Sequence, residues 1–199
     1  RMADQLRSLA RRDATTGLAN RSAFEEALLR EWRRAARLAA PMALLRAELD
    51  GFDRYALRYG DTAAAQALSR IAAELARLCA RPADLVARWS GPGFAVLLPD
   101  TDQRGAQQLA FHLLDGVEAL AIEHADAALA KHLTISLGLS WQAGAPPPDA
   151  APTQLIADAE LALAGAQHAG GAQAWALALR ADAPSAAELP ASLRPSRRR

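Results

Sequence analysis

A single cysteine, Cys79, stands in 199 residues, so no disulfide can close within the chain and no zinc site built on several thiolates can form. A reducing, cytoplasmic location is the expectation. Lysine is almost missing as well: of 23 basic residues, Lys131 is the one lysine and the rest are arginine. Aromatic residues make up 5% of the chain, and Trp32, Trp141 and Trp175 are scattered along it rather than forming a series alternating with basic residues, which argues against stacking on nucleic acid. The 23 basic and 22 acidic residues leave a formal charge of +1, which excludes a domain-wide electrostatic footprint for a polyanion. Strong apolar runs are absent too. Residues 161–179 carry no charge, but they are mostly Ala and Gly around Gln167, His168, Gln173 and Gly170-Gly171, too weak for a membrane span. The first residues lack the basic-then-apolar layout of a signal peptide, so any membrane tether is expected upstream of Arg1. There is no G-x-G-x-x-G and no Walker A sequence, leaving a Rossmann or P-loop nucleotide site unsupported.

What is present is alanine, 51 residues of it, which with arginine favours helix wherever the apolar pattern allows. Arg1 to Arg12 spaces Met2, Leu6 and Leu9 as the end of an incoming helix would. Ser22-Ala23-Phe24-Glu25 matches a capping box opening a helix to about Ala39, and Pro41 stops it. Met42 to Leu49, broken by Arg46 and Glu48, suits a strand buried on both faces. Asp61-Thr62 predicts the cap of a helix to about Ala80. Asp84 to Pro99 reads as a hairpin around Ser90-Gly91-Pro92-Gly93. A helix from Thr101-Asp102 to about Leu120, a half-buried strand from Leu133 to Ser140, a Pro-rich loop over 144–152, a helix from Thr153 to Ala169 and a last strand over 172–179 complete the order. The expectation is an α+β fold of the ferredoxin-like type, with a central mixed sheet of about five strands flanked by helices. The domain spans residues 13–180, preceded by the incoming helix at 1–12 and followed by a tail at 181–199 without periodicity, expected to be disordered.

Chemistry concentrates in few places. Glu48 and Asp50 lie at the end of the first strong strand, and i, i+2 spacing points both to one face. Two carboxylates there suit a hard cation such as Mg²⁺, provided another strand brings a further one; otherwise one of them only caps the next element. His124, His132 and His168 have no partners at metal-ligand spacing and are expected to face solvent.

Four segments together resemble one family. Asp13-Ala14-Thr15-Thr16-Gly17-Leu18-Ala19-Asn20-Arg21 with Phe24 is similar to the D-x-L-T-G-L-x-N-R…F opening of GGDEF domains, the diguanylate cyclase family. Glu48-Leu49-Asp50-Gly51-Phe52 resembles D-I-D-x-F. Arg88-Trp89-Ser90-Gly91-Pro92-Gly93-Phe94 resembles R-Y-G-G-D-E-F, and Thr134-Ile135-Ser136-Leu137-Gly138 resembles T-x-S-x-G. The resemblance implies the nucleotidyl-cyclase-like GGDEF fold, and, as the family's activity, the joining of two GTP into cyclic di-GMP between two domains with metal-bridged phosphates.

The same resemblance marks departures. Pro92 and Gly93 stand where the family places its two acidic signature residues, and Glu48 is left as the first-strand metal carboxylate. The guanine-binding Asn and Asp fall on Ala56 and Ala65, and the two phosphate-contacting cations fall on Gln167 and Gly171. No catalytic residue is therefore assigned and no cofactor is expected, with Mg²⁺ and GTP entering only if the chain is still a weak cyclase. Arg81-Pro82-Ala83-Asp84 matches the family's R-x-x-D inhibitory site for cyclic di-GMP, with a third contact falling on His112. An Arg fork can hold a phosphate or a guanine Hoogsteen edge, and an Asp can accept from guanine N1 and N2. The alternative for Arg81 and Asp84 is a local ion pair. The resulting expectation is a catalytically inactive, cyclic di-GMP-binding regulatory module that forms a homodimer or pairs with another signalling domain. The alternatives are a ligand-independent dimerisation or scaffolding module and a weak cyclase.

Overall fold

The computed structural model describes residues 11–127, 131–146 and 150–178. The expected tail, most of the expected incoming helix and part of the Pro-rich loop lie outside these residues.

The first helix, α1, spans Arg21–Leu38 and buries Phe24, Ala27, Leu28, Trp32 and Ala35, the i, i+3, i+4 stripe of an amphipathic helix. Its cap is Asn20, whose side chain accepts from the Ala23 amide at 3.0 Å. The predicted capping box at Ser22 and Glu25 does not form. The helix starts one residue before Ser22, and Glu25 pairs with Arg21 at 2.8 Å instead.

Strand β1 (Met42–Leu49) is central. It pairs antiparallel with both β3 (Gly93–Pro99) and β4 (Ile135–Gln142). Two further strands close the sheet in the order β2-β3-β1-β4-β5: β2 (Leu85–Arg88) antiparallel to β3, and β5 (Ala174–Ala178) parallel to β4. A period of two sends alternate β1 residues to opposite faces. Ala43, Leu45, Ala47 and Leu49 meet α2 (Phe52–Leu78) and α3 (Gln103–Ala119) in one core. Met42 and Leu44 meet α1 and α4 (Pro152–His168) in the other. The near-continuous apolar run of β1 thus reflects burial on both sides, as its pattern predicts.

Helix α2 starts earlier than the Asp61-Thr62 signal predicts. It opens at Phe52, is interrupted at Gly60 (φ 83°, ψ 169°), and resumes to Leu78. That backbone region is open to glycine almost alone, so Gly60 sets the break. On the other face, Gly138 lets α4 lie directly on β4: a Cβ there would run into the backbone of Ala159 and Leu163.

Candidate functional site

At the C-terminal end of β1, Glu48 and Asp50 face a cavity of about 420 Å³ that is also lined by Pro92, Thr134, Gln167 and Gly171. The strand order explains the meeting: β3 brings the hairpin turn to one side of β1, and β4 with α4 comes to the other. Asp50 is held by donors from two elements. Its Oδ2 accepts from Thr134 Oγ1 at 2.8 Å and from the Ala172 amide at 3.0 Å, and its Oδ1 accepts from Ser136 Oγ at 2.7 Å. Glu48 Oε1 accepts from Gln167 Nε2 at 3.0 Å. The turn itself is closed by the Gly93 amide donating to Ser90 O at 2.7 Å.

Beneath Glu48, on the same face of β1, lies a cation that the pattern of the sequence marked only as an interruption. Arg46 is 4% exposed. Its Nη1 donates to the Phe94 carbonyl, its Nε lies 3.5 Å from Glu160 Oε1, and its guanidinium sits 4.4 Å from the centre of the Trp89 ring. Arg21 approaches the same ring at 4.4 Å, and Phe24 meets it edge-on. Burial draws the Arg46 pKa down to about 10 against the upward pull of Glu160 and Glu48. The signal was available as a charged residue inside a two-sided apolar strand, because a charge at such a position must find partners.

His124 corrects another expectation. It is fully buried, with Nε2 3.2 Å from the Gly51 carbonyl and its ring edge-on to Tyr55. His132 is half-buried beside Glu118 at 3.4 Å, whereas His168 is exposed, as expected. Sequence spacing gave no hint that the loop after α3 folds back onto the start of α2.

A second place of interest is the link from α2 to β2. Arg81 is exposed and donates from Nη1 to Thr101 Oγ1 at 2.7 Å, and that hydroxyl donates onward to the Pro99 carbonyl at 3.0 Å. The Asp84 amide donates to the Arg81 carbonyl at 3.0 Å, closing a tight turn. Asp84 is half-buried and its Oδ1 is buried without a hydrogen-bond partner. Burial pushes its carboxyl pKa up, and the neighbouring Arg81 only partly offsets this. No ion pair joins Arg81 to Asp84 among the described residues, so the local salt bridge is not what holds this turn. His112 is exposed on α3 and makes no hydrogen bond or ion pair to either.

The family model described as diguanylate cyclase, GGDEF domain, matches residues 10–173. The chain belongs to the GGDEF domain family. Curated relatives include the diguanylate cyclase DgcP of Pseudomonas aeruginosa, 37% identical over 113 residues, 57% of this chain and 17% of that protein. Another is the diguanylate cyclase DgcM of Escherichia coli K12, 31% identical over 144 residues, 72% of this chain and 34% of that protein. This chain therefore spans between about a sixth and a third of these relatives. Among solved structures, the GGDEF domain of TpbB (YfiN) from Pseudomonas aeruginosa is 29% identical with a TM-score of 0.72, covering 83% of this chain and 93% of that one. The coiled coil and GGDEF domain of DgcB from Caulobacter crescentus, in complex with c-di-GMP, has a TM-score of 0.75 at 23% identity, covering 88% and 90%, a likeness of fold.

In this GGDEF domain the signature turn reads Ser90-Gly91-Pro92-Gly93-Phe94. The fold gathers Glu48, Pro92, Gln167 and Gly171 at one cavity and places Gly93, buried, beside it. Ala65 lies elsewhere, on an open cleft of α2 shared with Thr15, Asp61, Thr62, Gln66 and Arg70. Ala56 packs against the core. The residues present do not fit a divalent metal. Mg²⁺ asks for carboxylates with free lone pairs and open geometry. Here Asp50 already takes three donors, Glu48 takes the amide of Gln167, the third carboxylate of the lining, Asp53, is exposed on the first turn of α2, and the turn itself supplies none. Among the described residues no group of three or more His, Cys, Asp or Glu is placed to hold a metal ion, and no helix is long and apolar enough to cross a membrane.

Proposed function

We propose that this GGDEF domain is a regulatory module that binds cyclic di-GMP at Arg81 and Asp84 and does not synthesise it. Phosphoryl transfer between two bound GTP needs metal ions to neutralise developing charge. A turn carrying Pro92 and Gly93, with Glu48 spent on Gln167, removes that support. The loss of charged partners at Gln167 and Gly171 removes strong phosphate contacts as well.

The observation that carries the binding reading is the buried Asp84 Oδ1 with no partner, beside an arginine whose position is fixed by Thr101. A buried acceptor without a donor is costly and is relieved by one. Guanine N1–H and N2–H are donors suited to a carboxylate, and guanine O6 and N7 suit the planar edge of an arginine. Engaging Nη1 on Thr101 leaves the Nε–Nη2 edge of Arg81 for that contact. His112 supplies a further, weaker contact from α3. The fold it shares with DgcB, a protein solved with c-di-GMP, is consistent with this use. Occupancy is read out through pairing with a second copy or another signalling domain.

Calorimetric titration of the protein with cyclic di-GMP tests the reading. Saturable heat with the wild type, lost in Arg81→Ala and at least tenfold weaker in Asp84→Ala, is expected. No heat with the wild type overturns it and leaves the ligand-independent scaffold, and equal binding by Arg81→Ala overturns Arg81 and Asp84 as the site.

A further inference from the structure

We infer that Arg46 is a specificity-determining residue that bars divalent cations from the turn cavity: a guanidinium built into the sheet beneath Glu48 holds the positive charge there permanently. This rests on the reading of the turn as non-catalytic and gives it a second cause, independent of Pro92 and Gly93.

Four observations converge. First, Arg46 shares a face of β1 with Glu48, two residues away, so the two side chains are neighbours. Second, the guanidinium is immobilised by the Phe94 carbonyl, by Glu160 and by the Trp89 ring. It cannot swing out to make room for another cation. Third, its Nη2 lies 3.8 Å from the position of a Cβ on Gly93. A carboxylate rebuilt at residue 93 would start within reach of the guanidinium and be drawn into an ion pair rather than left for a metal. Fourth, the arrangement is poor as mere structure. Arg46 Nε is buried without a hydrogen-bond partner, in a strand where an apolar side chain of similar volume is tolerated as well or better.

The electrostatics run in one direction. A fixed, buried cation two residues along β1 from Glu48, which lines the cavity, opposes entry of a second, doubly charged cation more than it would in bulk water. It also pairs with Glu160 and lies within the field of Glu48, offsetting acidic charge that would otherwise attract one.

Binding of Mn²⁺ alone, followed by electron paramagnetic resonance, tests this on three proteins. They are the wild type, the turn-restored variant Pro92→Asp/Gly93→Glu, and the same variant carrying Arg46→Met. A parallel variant with Arg46→Gln keeps a donor for the Phe94 carbonyl while removing the charge. Circular dichroism checks that each folds. The wild type and the turn-restored variant should bind Mn²⁺ at least tenfold more weakly than both variants that also lack the charge. Equal Mn²⁺ affinity with and without Arg46 in the restored background overturns the inference, as does absence of binding in all of them. GTP turnover by the wild type is a separate readout, so a failure of the non-catalytic reading is distinguishable from a failure here.

Discussion

Gly138 sits where α4 crosses β4 so closely that any Cβ would meet the backbone of Ala159 and Leu163. Backbone cannot step aside as a side chain tip can, so Gly138→Ala should destabilise the fold by about 3 kcal/mol, the upper end of overpacking effects. A lower urea midpoint at unchanged slope would show it. The motif Thr134-x-Ser136-x-Gly138 was legible as a pattern, but its physical reasons were not. Thr134 and Ser136 donate to Asp50, and the glycine admits a helix. Asp158 and Asp84 carry a pH signature. Burial raises both carboxyl pKa values above the ordinary 3.8. A raised folded value means stability that is full below the unfolded value and is lost as pH rises through the folded one. Asp158→Asn should therefore raise the melting temperature at neutral pH, and the gain should vanish below the ordinary value of 3.8. At Asp84 the same proton competes with guanine donors. Affinity for cyclic di-GMP should fall as the solution is acidified from neutral pH, and Asp84→Asn should flatten that dependence.

At the scale of elements, Thr101 connects the turn at Arg81 and Asp84 to α3. Its hydroxyl accepts from Arg81 while donating to the Pro99 carbonyl. Thr101→Val removes the hydroxyl but keeps the shape, so cyclic di-GMP affinity should fall several-fold, the effect of roughly one hydrogen bond of about 1 kcal/mol. Thr101→Ser should restore it, which a purely structural role of the methyl group would not allow. Strands and helices were readable because their apolar periods are unambiguous: β1 is buried on both faces, and the hairpin is marked by Ser90-Gly91-Pro92-Gly93. Helix starts were less so. Asn20 and Ser22 both have the chemistry of a cap, and only the backbone decides for Asn20. Asp61-Thr62 looked like a beginning because Gly60 does break the helix there, yet a first limb from Phe52 precedes the break.

For the whole molecule, the site is a matter of long-range assembly. Gln167 reaches Glu48 across 119 residues of sequence, and the Ala172 amide reaches Asp50 across 122. Registering the chain on its family located Glu48, Pro92, Gln167 and Gly171 together. It gave no warning that the protein's own donors occupy the carboxylates, that Arg46 lies beneath them, or that His124 closes over the start of α2. Those features depend on which faces pack together, information that spacing along the chain does not contain. They also bear on the central claim, that this GGDEF domain has kept a ligand turn and lost its chemistry. The direct measurement is chromatographic detection of product after incubating the protein with GTP and Mg²⁺. No cyclic di-GMP above the level of a protein-free control is the predicted result, and sustained, protein-dependent formation of cyclic di-GMP would contradict it.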